Sequence, residues 1–150
     1  MNNSKTIAEE MTARIGQVAR LLYVLELAFD RAALITLECG AMDEKEAKNA
    51  MRALIWRANQ RAGGALRYVV VREYDAQRGR VIAYHVFCNL PGAECADACK
   101  RWGLGDCTIR EVNPKDRATL PPAILAPDAA RAGRRMFDTS KNIWQTVAAS

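Results

Sequence analysis

The spacing of apolar side chains changes along the chain, and each change marks a new predicted element. Between residues 5 and 33 apolar side chains recur every three or four positions, which is the period of one helical face. The members of this stripe are Ile15, Val18, Leu22, Leu25 and Phe29. The pattern predicts a long amphipathic helix that packs against the rest of the chain or against a second copy of it.

Four shorter runs have the alternating or continuous apolar character of β-strands. They cover residues 34–39, 67–74, 81–88 and 107–112. The second and third runs are separated only by a short polar turn, which predicts a β-hairpin.

Helix signals lie between these strands. Asp43 followed by Glu46 resembles a capping box, which predicts a helix over residues 43–61. A shorter helix is predicted over residues 93–102, where Gly103 ends it. The resulting order β-α-β-β-α-β is that of the split βαβ, or ferredoxin-like, plan. We therefore expect an α+β fold in which an antiparallel sheet of about four strands carries two helices on one face, with the long N-terminal helix added to it.

Regular structure is harder to predict towards the C-terminus. Pro121, Pro122 and Pro127 interrupt any regular helix there, and only residues 129–137 favour a short basic one. The predicted organisation is an N-terminal helix (1–33), an α+β domain (34–143) and a C-terminal tail (144–150).

Composition and charge narrow the class of protein. The chain has 150 residues, half of them hydrophobic, which fits one domain with a core of its own. Its formal net charge of +5 suggests a polyanionic partner such as nucleic acid. No run reaches membrane-spanning length and the N-terminus has no signal-peptide pattern, so we expect a cytoplasmic protein without a membrane partner.

The cysteines fit the same compartment. Their number, five, is odd, which favours reduced thiols. Cys95 and Cys99 lie one helical turn apart, which would suit a zinc site. Because the chain has no paired CxxC spacing, buried thiols acting as small hydrophobic side chains are the preferred interpretation.

The single histidine, His85, lies in the middle of the third predicted strand, on the same face as Ala83 and Phe87. Glu73 on the preceding strand would share that face in one hairpin register and leave it after a slip of one residue. An imidazole and a carboxylate on adjacent strands form the beginning of a divalent-metal site. The alternative is a histidine that is hydrogen-bonded on the sheet near an unrelated glutamate.

Basic side chains, a tryptophan and an asparagine lie along one face of the predicted 43–61 helix. They are Lys45, Lys48, Arg52, Trp56 and Asn59. Cations spaced over several turns can follow phosphates, and a tryptophan can stack on a base. The alternative is an ordinary solvated face. A second cluster with the same two interpretations follows near the C-terminus: Arg131, Arg134, Arg135, Phe137 and Lys141.

The order of these pieces resembles that of the rolling-circle replication initiators, or HUH endonucleases, of phages and plasmids. Residues 34–39 resemble their hydrophobic-Thr-hydrophobic motif, and residues 67–74 and 81–88 resemble their acidic strand and their His-hydrophobic-His strand. Residues 100–114 are similar to the tryptophan–glycine segment of these proteins, and residues 133–143 to their basic-aromatic tail.

This resemblance implies a nuclease that holds Mg²⁺ or Mn²⁺ with two histidines and a carboxylate, and that attacks the phosphate with a tyrosine. The matching positions here are Ala83, His85 and Glu73, so one metal ligand is missing. Residues 117–133, where the tyrosine helix is expected, contain prolines and no tyrosine. Tyr23 is a candidate nucleophile because the related relaxases carry their tyrosine near the N-terminus, but an amphipathic tyrosine at the edge of a packing face is the preferred interpretation.

The sequence therefore favours a catalytically degenerate replication-initiator-like protein of a phage or mobile element that binds single-stranded or hairpin nucleic acid. One alternative is a phage-borne inhibitor, for example an anti-defence or anti-CRISPR-like protein, and another is an active metal-dependent DNA nickase. A homodimer through the N-terminal helix is a further expectation. The expected nucleic-acid contacts are Lys45, Lys48, Arg52, Trp56, Arg134, Arg135 and Lys141.

Overall fold

The computed structural model describes residues 7–75, 77, 79–100, 106–125 and 135–143. Its helices are α1 (Ile7–Ala28), α2 (Glu44–Arg61) and α3 (Gly92–Lys100), followed by single 3₁₀ turns at Arg117–Thr119 and Pro122–Ile124. Its strands are β1 (Ala32–Glu38), β2 (Tyr68–Asp75), β3 (Arg80–Cys88), β4 (Asp106–Val112) and β5 (Phe137–Thr139). Within these residues the strands form one antiparallel sheet in the order β4-β1-β3-β2-β5.

The N-cap half of the capping box predicted for α2 is confirmed. The backbone N–H of Glu46 donates a hydrogen bond of 2.8 Å to Oδ1 of Asp43, the N-cap residue. This bond to the carboxylate lowers the pKa of Asp43. Beyond the other end of the helix, Gly63 and Gly64 have φ values of 64° and 84°, which residues with a Cβ atom rarely adopt.

Each face of the sheet is covered by different elements. The buried side of α2, with Ala47 and Leu54, packs with Ile35 and Val86 on one face, and Cys95 of α3 joins the same cluster. This places α2 and α3 on the same face, as the sequence predicts.

The opposite face carries α1. Leu21 and Leu25 pack with Leu34 and Phe87, so the apolar stripe of α1 contacts the sheet of its own chain. Buried residues of the C-terminal segment complete this second core, and they are Leu120, Ile124, Met136 and Ile143.

Three details of the prediction are wrong. The sheet has five strands, not about four, because β5 pairs with the outer edge of β2. Residue 137 was expected to end a short helix over residues 129–137, but it begins β5, and residues 129–134 lie outside the described part. The open hydrogen-bonding edge of β2 supplies partners that a three-residue segment does not reveal by its own pattern. In addition, α1 ends at Ala28, before residue 33, because β1 already begins at Ala32.

Candidate functional site

Two depressions lie beside α2, one of about 700 Å³ towards β2 and β5 and one of about 420 Å³ towards β2 and β3, and Met51 lines both. We call the two together the α2 groove, and we refer to the larger as its wide section and to the smaller as its narrow section. Its polar and aromatic lining includes Lys45, Lys48, Arg52, Trp56, Asn59, Tyr68, Arg72, Asp138 and Lys141.

The helical repeat explains why α2 presents these side chains. Lys45, Lys48, Arg52 and Trp56 follow one another at intervals of three or four residues, so they lie along one side of the helix. All four are exposed, and the Trp56 side chain has 59% of its surface accessible. The exposed indole ring offers a flat apolar surface on which the ring of a ligand could stack.

Most cations of the α2 groove lack a paired carboxylate. Within the described part of the chain, Lys45, Lys48, Arg52 and Lys141 form no ion pair, whereas Arg72 pairs with Asp138. At the opposite edge of the sheet, Arg31 pairs with Glu111 at 2.9 Å. The described lining of the groove thus holds five cations against two carboxylates, those of Glu44 and Asp138, and carries an excess of positive charge.

A carboxylate lies among these cations. Oδ1 of Asp138 accepts a hydrogen bond of 2.8 Å from Arg135, and its Oδ2 accepts one from Arg72. Burial raises the pKa of Asp138, but the hydrogen bonds and charges of the two arginines outweigh this effect and lower it. Asp138 therefore stays ionised at neutral pH, and its bond to Arg72 joins β5 to β2.

The predicted basic tail is only partly in the groove. Lys141 lines its wide section. Arg135 is exposed but is paired with Asp138, and Phe137 is half-buried against the core under α1, so its ring is not open to stack on a base. Arg134 and Arg131 lie outside the described residues.

His85 and Glu73 are brought together. Thr36 lies opposite His85 on the neighbouring strand, and Glu73 is paired with Ala83, which puts all three polar side chains on one face. The carboxylate can only accept, so Nε2 of His85 donates to Glu73 Oε1 at 2.8 Å. Nδ1 lies 3.1 Å from Thr36 Oγ1. We call these three residues the polar cluster.

The polar cluster does not fit a Mg²⁺ or Mn²⁺ centre. Both ring nitrogens of His85 are engaged by protein atoms, and the residue is only 4% exposed. The position expected to hold the first histidine carries the buried methyl group of Ala83. Among the residues that the structure describes, no group of three or more histidine, cysteine or acidic side chains is arranged to hold a metal. Hard cations need several oxygen ligands, which this pair does not supply.

Tyr23 lies apart from the polar cluster. It is 61% exposed on α1 and lines a separate depression of about 390 Å³ with Ile15, Arg117 and Leu125. Neither His85 nor Glu73 lines that depression. The structure therefore does not bring this tyrosine and the histidine to one site.

The cysteines are mostly buried. Four of the five are buried and Cys107 is half-buried. Sγ of Cys88 lies 3.8 Å from Sγ of Cys95, and burial raises the pKa of Cys39 to about 11. The Cys39 thiol therefore stays protonated at neutral pH, as expected of a small hydrophobic side chain. The hydrogen bond with Cys95 instead lowers the pKa of Cys88.

Sequence reasoning missed part of the groove. Asp138 and Arg72 are separated by 66 positions along the chain, and they meet only because β5 pairs with β2. Asn59 was noted on the exposed stripe of the predicted helix, and the structure places it on the groove wall together with Tyr68 of β2. No local signal in the sequence marks this meeting.

Comparison with known proteins gives no relative: no family model, no curated protein and no solved structure matches the chain. None of the described helices is both long enough and apolar enough to cross a membrane. What the protein does must therefore be argued from its own residues.

Proposed function

We propose that the protein binds single-stranded or hairpin nucleic acid in the α2 groove and does not cut it. The observation that carries this proposal is that Lys45, Lys48, Arg52 and Lys141, none of them in an ion pair with a described residue, share one groove with an exposed tryptophan. Phosphates would supply the missing negative charges, and the release of their counterions would drive binding.

The aromatic residue favours an unpaired strand over a duplex. In a duplex the faces of the bases are covered by their neighbours, whereas an unpaired base can stack on Trp56. The 11 residue steps from Lys45 to Trp56 span about 16 Å of helix. At about 3.4 Å per stacked nucleotide, this length suits a segment of roughly five nucleotides.

We also propose that the protein is a catalytically degenerate relative of the rolling-circle replication initiators. The strand order β4-β1-β3-β2, with α2 and α3 on one face, is compatible with the expected ferredoxin-like plan, and this supports the proposal. In this interpretation α1 and β5 are additions to the plan. The engaged ring of His85 and the separate position of Tyr23 favour binding without cleavage over a nickase.

Salt dependence tests the binding proposal. The anisotropy of a labelled thymine or uracil oligonucleotide of about twelve residues is titrated with protein at ~50 mM and ~200 mM salt. If all four cations contact phosphates, log K should fall with log salt at a slope of about −2.8. Lys48→Ala with Arg52→Ala should flatten that slope by about 1.4.

A matched control removes the same charge elsewhere. Arg31→Ala with Lys115→Ala takes two cations from the opposite edge of the sheet, where they pair with Glu111 and Asp30. This variant should keep the parent slope. If the folded parent protein shows no binding at low salt, the nucleic-acid proposal is wrong, and the groove points to a protein partner such as the target of an inhibitor. A homodimer through α1 stays a prediction that sedimentation of the same samples would test.

A further inference from the structure

The wide section of the α2 groove combines an exposed ring, an ionised carboxylate and hydrogen-bond donors. Resting on the proposed function, we infer that this section binds one unpaired guanine base, which stacks on Trp56 and is read by Asp138. The inference names the base that the groove selects, beyond binding of the strand as such.

The wide section has room for a base and has walls of two kinds. Its volume of about 700 Å³ lies within the range of sites that bind small ligands and is more than one base requires. Trp56, Met51 and Ile55 give it an apolar wall from α2, and Asp138 and Lys141 line it from the β5 side. A flat ring can therefore lie against the tryptophan while its edge meets polar groups.

Asp138 has hydrogen-bonding capacity left. An ionised carboxylate offers about four acceptor positions, and Arg72 and Arg135 use two of them. The side chain is 30% exposed and lines the groove, so the other positions are open to a ligand. The two arginines keep the carboxylate ionised, as its lowered pKa indicates.

Guanine matches this acceptor best among the bases. Its N1–H and its N2 amino group are adjacent donors, so one carboxylate can accept from both at once. Adenine and cytosine each present a single amino group, and thymine a single N–H. A paired interaction of this kind is typically stronger than a single bond because it is charge-assisted on both contacts.

Donors in the same section suit the acceptor atoms of guanine. Oδ1 of Asn59 accepts a hydrogen bond of 3.1 Å from the backbone N–H of Leu66, which fixes the amide and leaves its Nδ2 as a donor. Lys141 contributes an ammonium group without an anionic partner in the described chain. Oxygen O6 and nitrogen N7 of guanine are the acceptors that cationic and amide donors commonly bind.

A base panel tests the inference. The probes are thymine oligonucleotides with one central position occupied by guanine, hypoxanthine, adenine or cytosine, each titrated against the full chain. Guanine should bind roughly five- to a hundredfold more tightly than adenine. Hypoxanthine, which lacks the N2 amino group, should fall between them. Trp56→Ala should lower the affinity for all four probes.

Two variants isolate the carboxylate. Asp138→Asn should bring guanine and adenine to within about twofold of each other, since the amide can no longer accept from both donors. Arg135→Ala breaks one of the two ion pairs but keeps the carboxylate, so it should retain the preference for guanine. Thermal unfolding checks that both variants fold, and the panel on the parent protein is decisive by itself if one does not.

The outcomes separate the two proposals. Equal, salt-sensitive binding of all four probes would overturn the guanine pocket and leave the proposed function intact. The absence of binding to any probe at low salt would overturn both. A preference for guanine that persists in Asp138→Asn would assign the discrimination to other atoms and refute the role of Asp138.

Discussion

The α2 groove and the polar cluster are two polar regions of the same sheet. They differ in whether their polar side chains have partners within the protein. In the polar cluster, both nitrogens of His85 meet protein atoms, and the residue is buried. In the groove, Lys48 and Arg52 are exposed and form no ion pair with any residue that the structure describes. Removing the partner of a buried polar group lowers the stability of the fold, whereas an anion that binds to exposed cations releases counterions and gains binding free energy. A ligand is therefore expected to bind in the groove and not at the histidine.

The largest effect that this comparison predicts is on stability, at His85. His85→Ala removes a buried ring and leaves the carboxylate of Glu73 and the hydroxyl of Thr36 without it, which should cost about 2–4 kcal/mol of unfolding free energy. Denaturant unfolding measures this cost. Affinity for a single-stranded oligonucleotide, measured below the unfolding transition, should be unchanged. A variant that keeps its stability but loses binding would show that the polar cluster belongs to the binding site.

The opposite pattern is expected at Trp56. Trp56→Ala should weaken binding of a single strand by about 1–3 kcal/mol, because a stacked ring is lost. Its unfolding free energy should change by less than about 0.5 kcal/mol, because the side chain is mostly exposed. Trp56→Phe serves as the control and should keep part of the affinity. A large loss of stability in Trp56→Ala would mean that the ring supports the fold and not a ligand.

A smaller effect is expected from acid. The pKa of Asp138 is lowered in the folded state, so the protein releases this proton more easily when folded than when unfolded. The resulting stabilisation is complete above the unfolded pKa of about 3.9 and is lost as the pH falls through that value towards the folded pKa. Between roughly pH 5 and pH 2, the free energy of unfolding should therefore depend less steeply on pH in Asp138→Asn than in the parent chain. Identical slopes would show that the ion pairs to Arg72 and Arg135 contribute nothing measurable.

For strand cleavage the expected effect is none. Incubation of the protein with hairpin or single-stranded DNA and Mg²⁺ or Mn²⁺ should give neither a shortened strand nor a covalent adduct on a denaturing gel. The reason is that the polar cluster lacks metal ligands and that Tyr23 lines a different depression. An adduct that disappears in Tyr23→Phe would contradict this and favour the nickase.

The sequence was sufficient for the elements whose signals are local. The capping residues of α2 and the alternation in β2 and β3 placed these elements to within one residue or so. The hairpin register was left open, since it depends on backbone pairing and on the irregularity between Glu73 and Tyr74. The structure puts Glu73 on the face of His85.

The groove was only half predictable for the same reason. The stripe from Lys45 to Trp56 follows from the helical repeat and was read from the sequence. The opposite wall depends on β5, a strand of three residues whose position is set by the edge it pairs with and not by its own propensity. Contacts between distant parts of the chain carry no local pattern.

The attachment of β5 links occupancy of the groove to protection of the chain from proteases. Because β5 forms one wall and also covers the edge of β2, a ligand that spans both walls binds only when the strand is docked. By mass action the bound ligand then lowers the population of molecules in which β5 is detached from β2. Detachment would expose the backbone of β2 and the segment around Met136 and Ile143, both of which are buried when β5 is in place. A bound nucleic-acid strand would thus protect the C-terminal segment from proteolysis without contacting most of it.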